Sequence, residues 1–60
     1  MPQIAIIDYS SCSIEIISLS DETYNKYVGN FDELVFGVWG YSEDEIYYMV
    51  GENGIAVNRR

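Results

Sequence analysis

The sequence predicts a small α+β domain of ββααββ order, with a four-stranded, mainly antiparallel sheet and helices on one of its faces. Three observations lead there. Two runs dense in β-branched residues, 3–9 and 14–19, flank a cluster of small residues. A complete helical stripe occupies the middle of the chain, with Phe31, Leu34, Val35, Val38 and Trp39 at i, i+3, i+4, i+7 and i+8. Near the end, Asn53-Gly54 separates two further strand-like runs, 46–50 and 55–58, and this dipeptide is the strongest short-range hairpin signal.

The first run, Gln3-Ile4-Ala5-Ile6-Ile7-Asp8-Tyr9, is short and rich in strand formers. Side chains alternate across a strand, so Ile4 and Ile6 share one face and Ala5, Ile7 and Tyr9 the other. Apolar groups on both faces point to a central strand, or to a sheet whose second face is also covered. Ser10-Ser11-Cys12-Ser13 suits a turn. The second run returns antiparallel, with Ile14 and Ile16 expected inward and the charge of Glu15 outward. Ser20 then caps a short helix whose first turn holds Asp21 and Glu22, the charges favoured by the positive end of a helix. Leu19 and Tyr24 stand at hydrophobic-staple positions, and Gly29 supplies a left-handed stop. Asn30 and Glu33 have capping-box spacing ahead of the second helix. Gly37 within that helix costs up to about 1 kcal/mol relative to alanine, so either a strand packs closely there or the helix is marginal. Ser42-Glu43-Asp44-Glu45 reads as a turn, 46–50 as the third strand, and 55–58 as a fourth that pairs back onto it. If the helical connection passes the first strand from edge to edge, the strand order is 2-1-3-4; two helices leave the direction of the third strand open, and Arg59 and Arg60 form a frayed tail.

Sixty residues make one domain, 1–60, and a chain this short buries only about 60% of the surface its unfolded form exposes. Hydrophobic residues at 48% and aromatics at 15% are sufficient for folding. The usual staples of small domains are missing. Cys12 has no second cysteine and there is no histidine, so neither an internal disulfide nor a Cys/His zinc site can form. Ser–His–Asp and Cys–His catalysis are removed for the same reason. The acidic pairs Asp21/Glu22 and Asp32/Glu33 and the triplet Glu43-Asp44-Glu45 fall where helix starts and turns are predicted, so capping explains them. They do not follow the alternating pattern of a calcium loop. Nothing basic lies near Cys12 in sequence to activate it as a nucleophile. The glycines form neither a phosphate-binding loop nor a dinucleotide fingerprint. The expectation is a non-enzyme with no cofactor and no metal. The apolar start of the chain lacks the pattern of a secretory signal and no run approaches a membrane span, which suggests a cytoplasmic protein.

Ten acidic side chains face three basic ones, for a net charge of −7. Direct nucleic-acid binding and anionic membrane surfaces are disfavoured, because both need clustered lysine and arginine. The partner that fits is a protein, either a second copy as a homodimer or a foreign chain, including a basic surface drawn in by the field. The six tyrosines point the same way. In the third strand, alternation puts Tyr47 and Met49 on one face and Ile46, Tyr48 and Val50 on the other. If the latter face packs on the helices, Tyr47 and Met49 join Ala5, Ile7, Tyr9 and Ile17 on the opposite face. These six residues are the interface candidates, since aromatics and Met are enriched at protein interfaces. The expected function is a small acidic protein-interaction module or regulator. The alternative is a DNA mimic, whose carboxylates imitate phosphates and occupy a nucleic-acid-binding protein.

Overall fold

Gln3–Asp8 forms β1 and Ser13–Ser18 forms β2, an antiparallel hairpin closed by a loop over 9–12. The computed structural model describes residues 1–59; Arg60, half of the expected tail, lies outside the described residues. Asp8 builds the loop: its Oδ1 accepts from the Ser10 hydroxyl at 2.7 Å, the Ser10 N–H at 2.9 Å and the Ser11 N–H at 3.2 Å. Bonds to the charged form favour it, so this carboxyl is held below its ordinary pKa, with the Ser10 hydroxyl contributing most. Cys12 closes the loop in the left-handed conformation, at φ 54°.

Ser20 caps the helix that follows, α1 over Asp21–Tyr27, by accepting the Thr23 N–H at 3.1 Å. The staple pair Leu19 and Tyr24 both reach the core. Gly29 reverses the chain at φ 85°. A second helix, α2 over Glu33–Val38, leads toward β3, Ile46–Gly51, which pairs antiparallel with the free side of β1. The sheet order is β2-β1-β3. Both outer strands oppose β1, so β2 and β3 are parallel to each other and the helical connection crosses β1.

Two parts of the expected fold are corrected. The sheet has three strands among the described residues, not the four of a ββααββ arrangement. The Asn53-Gly54 signal does make a turn, with Gly54 at φ 100° and its N–H bonding the Gly51 carbonyl at 3.2 Å. The chain leaving it does not pair with β3. Instead the Ile55 N–H donates to the Gln3 side-chain carbonyl at 2.8 Å. A Cβ built on Gly51 would meet the Gly54 carbonyl oxygen, with Ile55 Cγ1 at 2.7 Å. The segment therefore folds back over Gly51 rather than running beside it.

The second correction concerns α2, which is wound as a π-helix rather than an α-helix. The Trp39 N–H bonds the Leu34 carbonyl at 2.9 Å, an i→i+5 contact. Such winding sets Trp39 above Leu34, where an α-helix would set Val38. Leu34 and Val35 are accordingly buried and Trp39 packs on the core, while Val38 is 60% exposed. Among the described residues no strand approaches Gly37. A Cβ there would touch only Glu33 Cγ, at 3.8 Å. Gly37→Ala is thus expected to stabilise by ~0.5–1 kcal/mol through lost chain entropy in the unfolded state. The check is a raised urea midpoint at unchanged slope; a lowered midpoint would reveal a neighbour that the packing does not contain.

The core is one cluster of Ile4, Ile6, Leu19, Leu34, Val35 and Ile46, with Tyr24, Tyr27, Phe31, Phe36 and Tyr48 among its half-buried margin. Two tyrosines tie helical and loop segments to the sheet through carboxylates. The Tyr41 hydroxyl donates to Glu15 Oε2 at 2.9 Å, and the Tyr48 hydroxyl donates to Asp32 Oδ1. Loss of solvent, then the Asp32 bond and charge, push the Tyr48 phenol up to about 12. A phenol raised above its unfolded value near 10 keeps its proton in the native state after the unfolded state has released it. That contribution is present below pH ~10 and lost as pH rises to ~12. Melting temperature should fall through this window, and Tyr48→Phe should flatten the fall. An equally steep decline in Tyr48→Phe would remove Tyr48 as the cause.

Candidate functional site

The register divides the sheet into two unlike faces, because residues paired across antiparallel strands project to the same side. On the covered face lie Ile4 with Ile17 and Val50, Ile6 with Glu15 and Tyr48, and Asp8 with Ser13 and Ile46. On the open face lie three rows: Gln3 with Ser18 and Gly51, Ala5 with Ile16 and Met49, and Ile7 with Ile14 and Tyr47. Tyr9 continues the open face past the end of β1. Its ring meets Tyr47 edge-on, with centroids 5.4 Å apart. Partial loss of solvent, then the neighbouring Tyr47 phenol, raises the Tyr9 phenol above its ordinary pKa.

Of the six candidate residues, Ile7, Tyr9, Tyr47 and Met49 are exposed on this face. Ala5 is on it but only 7% exposed, flanked across the strands by the larger Ile16 and Met49. Ile17 is on the other side, half-buried against the core. Ile14 and Ile16, expected inward, take the place assigned to Ile17, and Ile14 is 69% exposed. The physical reason is parity. A four-residue loop pairs odd positions with even ones, so Ile4 opposes Ile17, and a one-residue change of register turns every side chain over. Glu15, in turn, lies on the helix side, where Tyr41 bonds it.

Part of the open face is covered by the chain itself. Gln3 and Gly51 share a row, and the backbone of Gly54 and Ile55 folds over that row. The two rows beyond it, with Tyr9, remain open. They contain no charged residue in a chain of net charge −7. The nearest acid in register is Glu45, whose carbonyl accepts the Tyr9 N–H at 3.0 Å at the rim.

The remaining surface offers less. A hollow of about 510 Å³ opens between Met1, Gln3, Asn53, Gly54, Ile55 and Ala56, none of which has an ionisable side chain. No group of three or more metal-ligating side chains comes together among the described residues. Nor is any described helix long and apolar enough to cross a membrane. Comparison of the chain with protein-family models, with curated proteins and with solved structures finds no match.

Proposed function

We propose that this chain is a cytoplasmic protein-interaction module, without catalytic activity, that binds a protein partner through the open sheet face. The observation that supports the reading is the segregation of charge. Ten carboxylates are present in the sequence, yet the rows holding Ile7, Ile14, Ile16, Tyr47 and Met49 carry none. A contiguous apolar patch of a few hundred Å² on a small protein marks an interaction site, whereas scattered apolar side chains do not. The aromatic pair Tyr9–Tyr47 at its end is the type of group that anchors interfaces. The lone cysteine fits a reducing compartment.

The reading is tested by site-specific photo-crosslinking in cells. A benzophenone side chain placed at Ile14 should form a protein adduct. The same group at Val38, also largely exposed but on the helix side, should not. Equal capture at both positions, or none at Ile14, contradicts the open face as the binding surface.

A further inference from the structure

We infer that the partner is a second copy of this chain, laid face to face on the two open rows; the inference rests on the interaction reading above and names its occupant. Three observations carry it. The first is area. Folded monomers of 6.9 kDa expose about 4,000 Å², and this chain exposes 4480 Å². Ile7, Tyr9, Ile14, Ile16, Tyr47 and Met49 together present on the order of 600 Å². Two such faces bury on the order of 1,200 Å², which is where specific interfaces begin.

The second observation is charge. A basic partner gains affinity by pairing with carboxylates, and none lies within the rows. An uncharged apolar face is matched by a copy of itself, and stacking two of them traps no unpaired ion. The third is shape. The molecule is a slab of 30 × 28 × 14 Å, one sheet with helices on a single side. Two sheets packed about 10 Å apart convert two such slabs into a layered core, the way sheets bury an apolar face. Twofold symmetry brings the Ile7, Ile14 and Tyr47 row of one chain across the same rows of the other.

Acids outside the rows oppose this pairing at long range, because each copy carries −7. Salt screens that repulsion, so association should tighten as salt is added. Sedimentation equilibrium of the purified chain, at low salt and at ~1 M, is the test. The expected result is a mass that climbs with concentration from one chain toward two, with a dissociation constant several-fold lower at high salt. Ile14→Asp and, separately, Tyr47→Ser should remain folded monomers, since both side chains are about two-thirds exposed at 69% and 68%. A wild type that stays monomeric under both conditions overturns the second copy. So does a dimer that survives in both variants. Neither result decides the crosslinking contrast between Ile14 and Val38, which judges the open face separately.

Discussion

Replacing Leu34 by alanine is expected to cost about 2–5 kcal/mol, as much as the whole stability of a domain this small. Leu34 is 2% exposed and belongs to a core cluster of six buried side chains. Removing it leaves a cavity that few neighbours can collapse to fill. The π winding of α2 sharpens the expectation into a contrast. Val38, four residues on, belongs to the same stripe by α-helical spacing, yet it faces solvent. Val38→Ala should therefore change stability by no more than ~0.5 kcal/mol. Urea unfolding of the two variants, followed at concentrations where the chain is monomeric, separates the windings. Equal losses at both positions would restore the α-helical stripe.

A comparable effect is expected from Gly51→Ala. The new Cβ would stand on the open face, against the Gly54 carbonyl oxygen and within 2.7 Å of Ile55 Cγ1. Backbone cannot rotate away as a side chain does, so the turn over 52–54 must open. Overpacking of this kind typically costs ~1–3 kcal/mol. The cost should appear with a local signature, because the displaced segment holds the Ile55 N–H on the Gln3 side chain. Hydrogen exchange at Ile55 should accelerate in Gly51→Ala while the amides of β1 stay protected. A variant that melts like the parent with Ile55 still protected would mean that the chain does not fold back over Gly51.

The elements that local chemistry dictates were legible in the sequence. The small-residue loop between two β-branched runs, the Ser20 cap with its Leu19–Tyr24 staple, and the aromatic third strand all stand where their residues place them. What escaped was set by geometry beyond the local pattern. Keeping the charge of Glu15 in solvent suggests that Ile14 and Ile16 point inward. The loop length, equally visible in the sequence, dictates the opposite, and Tyr41 supplies Glu15 with a donor from 26 residues away. That one parity exchanged Ile17 for Ile14 and Ile16 at the candidate site, while Ala5, Ile7, Tyr9, Tyr47 and Met49 followed from alternation within their own strands. The π winding of α2 had no signal in spacing, because the stripe fits an α-helix. Asn53-Gly54 specified a turn but not what the chain does after it. A strand needs β3 as partner, and the Gln3 side chain took the Ile55 amide instead.

The sheet has one covered and one open apolar face. The most direct test is methyl NMR of the wild type with a soluble paramagnetic chelate, which attenuates signals by exposure, recorded on dilute and concentrated samples. In the dilute sample the methyl groups of Ile7, Ile14 and Met49 should be strongly attenuated, and those of Ile4, Ile6 and Ile17 spared. On concentrating the sample at high salt, Ile7, Ile14 and Met49 should become protected, with Val38 unchanged. Attenuation of Ile17 together with protection of Ile14 in the dilute sample would contradict the register, and with it the open face.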